Sequence, residues 1–169
     1  MIHVVLFEPE IPQNTGNIMR TCVATGCALH LIKPLGFTID EKHLRRAGLD
    51  YRDQLSMKVH ENWLEFEKEA VGSIFFISRY GKKSPDEFNY AKLTEDIYLV
   101  FGKESTGIPL AIMENRLDNQ IRIPMIADIR SLNVSNCVAI VVYECLRQLQ
   151  YPNLSKVETI KGEDYRGNK

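Results

Sequence analysis

Several polar stretches of this 169-residue chain carry side chains that could take part in chemistry. The first, EPEIPQNTGNIMR, follows a short apolar run and contains Asn14 and Arg20, whereas a plain strand-to-helix connection would need a single helix cap. The stretch GKESTG adds Glu104, and RSLNVSN adds Ser131 and Asn133. Amide, hydroxyl, carboxylate and guanidinium groups bind polar ligands through hydrogen bonds. Together these residues indicate a polar ligand site.

Alternating strand and helix patterns predict how these stretches are positioned. Short β-rich runs bounded by Gly and Pro predict strands at residues 2–7, 29–32, 73–78, 97–102 and 120–125. Helices are predicted at 17–24, 41–47, 62–70 and 134–150, with a further short helix from Pro109. This alternation is typical of an α/β fold, with a mostly parallel sheet flanked by helices.

The polar stretches follow predicted strands, at the point where each strand ends. In open parallel sheets, ligands bind at the carboxyl ends of the strands. The runs IPQNTGNIMR, SRYGKKS, GKESTG and PMIADIRSLNVSN follow the first, third, fourth and fifth strands. We therefore expect these loops to form one site, although loops are also polar for reasons unrelated to function.

Common catalytic and cofactor motifs do not match. GKESTG has two glycines at phosphate-loop spacing, but Ile108 and Pro109 stand where lysine and a hydroxyl residue would be needed, and no GxG occurs. Glu104 could instead simply favour the dipole of the next helix, and RSLNVSN could simply cap the last one. The four cysteines contain no CxxC pair and are predicted to be buried, reduced thiols. The histidines form no triad motif, and His3 and His30 are interpreted as structural.

Charge and hydropathy constrain the location and the partners. The formal net charge is -1, so any nucleic-acid binding would need a local basic patch. One short predicted helix places Lys42, Arg45 and Arg46 on a single face, which is either solvated surface or a contact for phosphates. No apolar run is long enough for a bilayer, and the first residues lack a leader pattern. A cytoplasmic protein is expected.

The last predicted helix has two notable faces. One carries an uninterrupted apolar stripe with helical spacing, from Val134 to Leu149, and is expected to face the core. Ile140 and Tyr143 lie outside that stripe. They indicate either a subunit contact or a helix that lies deeper in the core.

Taken together, the motifs resemble the SPOUT class of RNA methyltransferases, and within it the minimal single-domain tRNA 2'-O-methyltransferases that modify the wobble nucleotide. EPEIPQNTGNIMR, FTIDEKHLRRAGLDY, LVFGKESTGIP, and IRIPM followed by RSLNVSNCVAIVVYE carry the resemblance. It extends from residue 2 to about residue 152, which implies one SPOUT domain over 1–152 and a polar tail over 153–169.

The resemblance implies a cofactor site within a C-terminal deep trefoil knot. S-adenosyl-L-methionine would be held there mainly by backbone groups, leaving S-adenosyl-L-homocysteine as the product, and no metal is expected. A glycine at position 107 would allow a close approach of the backbone. The matching cofactor positions are Ile77, Gly102, Gly107, Ile123, Ser131 and Leu132.

The resemblance also implies the chemistry and the partners. The ribose 2'-oxygen of a wobble C or U in the tRNA anticodon would receive the methyl group. Arg20 would activate that oxygen, or instead position a phosphate and stabilise the developing alkoxide. Asn14 would orient the ribose or the loop. The remaining members of the expected catalytic site are Glu104, Ser131 and Asn133.

A homodimer is implied, with the active site at the subunit interface, and this would account for Ile140 and Tyr143. The expected contacts with the tRNA anticodon stem-loop are Lys42, Arg45, Arg46 and Tyr143. Two other functions remain open: methylation of another tRNA or rRNA position, and RNA binding by a homologue that has lost catalysis.

Overall fold

A parallel β-sheet forms the centre of the molecule in the computed structural model, which describes residues 1–38 and 54–160. Within those residues the sheet has six strands, in the order β3-β2-β1-β5-β4-β6, and every pairing is parallel. The strands are β1 (Ile2–Phe7), β2 (Ala28–Ile32), β3 (Met57–His60), β4 (Gly72–Ile77), β5 (Asp96–Phe101) and β6 (Gln120–Ile121). The predicted mostly parallel α/β sheet is confirmed.

Helices cover both faces of this sheet. They are α1 (Pro12–Thr25), α2 (Trp63–Glu69), α3 (Leu110–Met113) and α4 (Val134–Gln148). Alternate β1 residues point to opposite faces, so Val4 packs in a cluster with residues of α1 and α4, whereas Val5 packs with Phe66 of α2 and Met113 of α3. The sheet is therefore buried on both sides, which explains its nearly continuous apolar strands.

Three sequence predictions differ from the structure. Helix α1 begins at Pro12 and not at residue 17, because proline is well tolerated at the first helical position and needs no N–H there. Strand β3 was missed, since MKVH is short and its two middle residues are exposed. The last predicted strand is shorter, because sheet pairing ends at Ile121. The predicted helix at 41–47, with Lys42, Arg45 and Arg46, lies outside the described residues.

Strand order brings the polar loops together. β1, β5, β4 and β6 are consecutive neighbours in the sheet, and because they run parallel, their carboxyl ends lie at the same edge. These are the strands that precede the four polar stretches. In residues 1–38 and 54–160, no helix is long and apolar enough to cross a membrane.

Candidate active site

A cavity of about 690 Å³ opens at this edge of the sheet, and all four polar loops line it. The first loop contributes Asn14, and the loop after β5 contributes Glu104. The segment before α4 contributes Ser131 and Asn133. Every position expected to hold the cofactor also lines the cavity: Ile77, Gly102, Gly107, Ile123, Ser131 and Leu132.

Asn14 joins three of these loops through its buried amide. Its Nδ2 donates to Glu104 Oε1 at 3.0 Å, and its Oδ1 accepts from Asn133 Nδ2 at 2.9 Å. Asn133 Oδ1 accepts in turn from the backbone N–H of Ser135 at 2.9 Å, which caps α4. The side chain of Asn14 is thus held at both ends, and one wall of the cavity is fixed by this polar chain.

Glu104 stabilises the loop that precedes α1. Its carboxylate accepts from the backbone N–H of Glu10 at 2.9 Å and of Ile11 at 3.3 Å, in addition to the amide of Asn14. A carboxylate at the start of a helix interacts favourably with the helix dipole. The dipole interpretation therefore applies, but to α1 and not to the helix that follows Glu104.

Two glycines shape the loop after β5 for different reasons. A Cβ on Gly102 would lie 2.3 Å from the carbonyl carbon of Gly107, so no side chain fits there. Gly107 has φ +74°, which L-residues rarely adopt, but a Cβ on it would meet no atom within 4 Å. Gly102 therefore lets the backbones of positions 102 and 107 lie close together, and Gly107 supplies the turn and leaves open space beside its own backbone.

The segment before α4 offers more than helix capping. Asn133 is the residue that caps α4. Ser131 is exposed, lines the cavity, and makes no hydrogen bond with any other described residue. Its hydroxyl is therefore available to a ligand.

Arg20 is not part of this group. It is exposed and does not line the cavity, because it lies six positions after Asn14 on α1, which rotates it by about 120° around the helix. Tyr143 is likewise exposed on α4, outside the cavity. The structure thus brings together four of the five expected catalytic residues.

The cavity also has a positive side that the sequence did not single out. Arg79, Arg122 and Arg130 line it, and none pairs with a carboxylate among the described residues. Lys103, in contrast, forms an ion pair with Glu8. In the sequence, the polar run SRYGKKS contains Arg79 and could have indicated these positive charges, but its spacing matches no known motif. Within residues 1–38 and 54–160, no three His, Cys, Asp or Glu side chains are grouped as a metal site would require.

A second carboxylate, that of Glu10, also links the first loop to the loop after β5. Glu10 accepts from the backbone N–H of Ser105 at 2.9 Å and from its hydroxyl at 2.8 Å. These bonds stabilise the charged form and lower the pKa of Glu10 below its ordinary value. The first loop and the loop after β5 are therefore cross-linked in both directions, by Glu10 and by Glu104.

Residues 1–143 match the model of the SpoU rRNA Methylase family. The chain belongs to this family. A curated relative from Saccharophagus degradans, named tRNA (cytidine(34)-2'-O)-methyltransferase, is 50% identical over 153 residues, which cover 89% of this chain and 97% of the relative. The resemblance to minimal wobble-position methyltransferases is thereby confirmed.

Two solved structures share the fold. One described as "Structural insights into the 2-OH methylation of C/U34 on tRNA" is 40% identical, has a TM-score of 0.81, and aligns over 89% of this chain and 97% of its own. The SpoU methyltransferase AviRb from Streptomyces viridochromogenes, solved in complex with the cofactor AdoMet, is 24% identical with a TM-score of 0.70. That alignment covers 88% of this chain and 60% of AviRb, and it shows likeness of the fold alone.

Proposed function

We propose that this chain transfers a methyl group from S-adenosyl-L-methionine to the ribose 2'-oxygen of the wobble nucleotide, C or U, in the tRNA anticodon. The observation that carries the proposal is the joining of Asn14, Glu104 and Asn133 beside the glycine-shaped loop of one cavity. The Saccharophagus relative is named for this reaction on cytidine 34, and the 40% identical structure is described by the same chemistry on C/U34.

The cofactor half of the site lies between the loops after β4, β5 and β6. The backbone around Gly102 and Gly107, together with Ile77, Ile123 and Leu132, would hold S-adenosyl-L-methionine. The fit is supported by Gly102, where any side chain would displace the loop, and by the open space beside Gly107. When bound, the cofactor supplies an electrophilic methyl group.

The substrate half is the polar wall. Ser131, which has no partner among the described residues, would bind the ribose. Asn14 would hold the loops of this wall in place through its hydrogen bonds to Glu104 and Asn133. Transfer of a methyl group requires the attacking oxygen to be held in line, so orientation is the main task of these residues. Arg20 would stabilise the oxygen as it loses its proton, because guanidinium remains charged throughout the physiological range.

A second copy of the chain would complete the site. The exposed side of α4 carries Ile140 and Tyr143, which are 42% and 48% exposed, and such apolar groups favour a subunit contact. α1 packs against α4, so Arg20 would lie near that interface. We also propose that the C-terminal part of the domain is threaded as a trefoil knot, and that Lys42, Arg45, Arg46 and Tyr143 contact the tRNA.

Site-specific mapping of ribose methylation tests the function. Purified protein, tRNA and radiolabelled cofactor should give methylation at nucleotide 34, and a 2'-deoxy residue at that position should abolish it. Methylation at another nucleotide would favour the alternative substrate. Cofactor binding without transfer to any tRNA or rRNA would favour an RNA-binding homologue without activity.

A further inference from the structure

Tyr80 is an exposed aromatic residue at the rim of the cavity. It lies in the loop that follows β4, it lines the cavity, and it is 60% exposed. The proposed methyl transfer gives no role to this side chain. A large aromatic ring that is left exposed beside a concave site is a common feature of ligand contacts.

The loop that carries Tyr80 is held firmly against β6. The backbone N–H of Ser78 donates to the carbonyl of Ile121 at 2.9 Å, and the Tyr80 N–H donates to the Ser78 hydroxyl at 3.1 Å. A Cβ on Gly81 would lie 2.5 Å from the carbonyl carbon of Ile121, so the loop packs on the neighbouring backbone without space for a side chain. The ring is therefore presented from a fixed backbone, at a small cost in conformational entropy.

The surroundings of Tyr80 favour an anionic ligand that carries flat rings. The guanidinium carbon of Arg79 lies 5.8 Å from the ring centroid, and Arg122 donates to the carbonyl of Arg79. Neither arginine pairs with a carboxylate among the described residues. Aromatic rings beside arginines are how proteins bind single-stranded nucleic acid, through stacking and phosphate contacts.

We infer that Tyr80 stacks on a base of the bound RNA and so positions the target nucleotide at the cavity. This inference rests on the proposed function. A ribose hydroxyl reaches the bottom of a cavity only if its nucleotide leaves the stack of its neighbours, and a protein ring can replace the stacking that is lost. Tyr80 is then a positioning residue, because it contacts the base and not the reacting atoms.

A pair of variants at this position tests the inference. Tyr80→Leu keeps an apolar side chain but removes the ring, and Tyr80→Phe keeps the ring but removes the hydroxyl. Binding of a fluorescent anticodon stem-loop should weaken by about 5- to 150-fold in Tyr80→Leu and remain near the wild-type value in Tyr80→Phe. Calorimetry should give the same affinity for S-adenosyl-L-homocysteine in all three proteins.

A stem-loop with an abasic site identifies the stacked base. Abasic substitutions are placed one at a time along the anticodon loop. When the base that stacks on the ring is the one removed, Tyr80→Leu and wild type should bind the stem-loop with equal affinity. Equal RNA affinity in Tyr80→Leu and wild type would overturn the inference, and so would a matching loss of S-adenosyl-L-homocysteine affinity, which would assign the ring to the cofactor. Failure of wild-type protein to methylate nucleotide 34 would instead reject the proposed function, since these binding measurements require no turnover.

Discussion

Asn133 Nδ2 donates a hydrogen bond to Asn14 Oδ1 at 2.9 Å, across 119 positions of sequence. The other end of the Asn14 amide donates to Glu104, so a single buried side chain ties the first loop to the last two. Three of the four polar loops are thus connected, and a change in one of them should affect the other two.

Glu104→Gln should disrupt this structure. The carboxylate accepts three hydrogen bonds, from Asn14 and from the backbone N–H groups of Glu10 and Ile11. A glutamine presents an NH₂ donor to at least one of those donors, so the free energy of unfolding should fall by about 1–3 kcal/mol. Urea denaturation measures this, and methyl transfer should fall with it.

Glu114→Gln is the matched control for that variant. Glu114 is exposed and its side chain makes no hydrogen bond or ion pair among the described residues, so the same loss of charge should leave stability unchanged. Equal stability of Glu104→Gln and Glu114→Gln would show that the carboxylate bonds of Glu104 contribute nothing.

Gly102→Ala and Gly107→Ala should have different effects. The first places a Cβ 2.3 Å from a backbone carbon and must displace the loop, so cofactor affinity should fall about tenfold or more, or about 1.4 kcal/mol. The second adds a Cβ in open space but strains φ, which costs about 1–2 kcal/mol of stability. Calorimetry and thermal unfolding separate the two effects.

Gly26→Ala is the control for the conformational cost. Gly26 ends α1 with φ +67°, and a Cβ there would meet nothing within 4 Å, as at Gly107. It lies away from the cavity, so it should lose similar stability and retain full cofactor affinity. Normal cofactor binding by Gly102→Ala would exclude this loop from the cofactor site.

Local patterns allowed the sheet, the final helix and the grouping of loops to be predicted from sequence. The stripe on α4 and the left-handed glycine after α1 are signals that depend on neighbours in the chain. The bond between Asn14 and Asn133 has no such signal, because it depends on where two distant loops meet. Tyr80 was missed for the same reason, since only its place at the cavity distinguishes it from other exposed residues.

Three histidines form a hydrogen-bonded row across β1, β2 and β3, from near the amino end of β1 to the carboxyl end of β3, as expected if His3 and His30 are structural. His3 Nε2 lies 3.2 Å from Asp96 Oδ2, and a carboxylate only accepts, so His3 carries its proton there. His3 Nδ1 then accepts from His30 Nε2, and His30 Nδ1 accepts from His60 Nε2, each at 2.9 Å. His60 Nδ1 is left as a buried acceptor, and it has no hydrogen-bond partner.

Stability should decrease in mild acid because of this row. Burial, reinforced by the neighbouring His3 and His60, lowers the pKa of His30 from 6.5 to about 4. Between those pH values the unfolded chain binds a proton that the folded chain does not, so stability is lost as the pH falls from 6.5 towards 4. The ring is partly exposed, so we expect a loss of about 1–2 kcal/mol between pH 7 and pH 5.

His30→Phe isolates this contribution. Phenylalanine keeps the aromatic contact with Phe66, whose ring centroid lies 5.7 Å from that of His30, but it cannot titrate. The variant should be less stable at every pH, since His3 and His60 lose partners, yet its stability should change less between pH 7 and pH 5. Urea denaturation measures the free energy of unfolding of both proteins at each pH. If it changes with pH equally in His30→Phe and wild type, the histidine row is not the source of the loss in acid.

The basic segment that carries Lys42, Arg45 and Arg46 should contribute to RNA binding by contacting phosphates of the RNA. Replacing Arg45 and Arg46 with glutamine should weaken binding of the stem-loop and reduce the slope of log affinity against log salt by about 0.7–0.9 per lost contact. Replacing Lys68 and Lys92, whose side chains are exposed and make no hydrogen bond or ion pair among the described residues, removes the same charge as a control. A slope that changes equally in both double variants would reflect net charge and not a docking contact.

Arg20→Ala should abolish methyl transfer while leaving the fold and cofactor affinity nearly intact, since the side chain is exposed and outside the cavity. Asn17→Ala, another exposed position on α1, should retain activity. Wild-type turnover by Arg20→Ala would reject a role for this arginine.

Mixing Arg20→Ala with Gly102→Ala, at a cofactor concentration too low for Gly102→Ala to turn over appreciably, decides which cavity Arg20 serves. In the proposed dimer, Arg20 would act on the cavity of the other subunit, so Arg20→Ala mixed with Gly102→Ala should regain activity. Half of the dimers formed at random are mixed, and each has one intact cavity facing one intact Arg20, so about a quarter of the wild-type activity should return. If the mixture stays inactive while sedimentation shows mixed dimers, Arg20 serves the cavity of its own subunit, because every site would then contain one of the two defects.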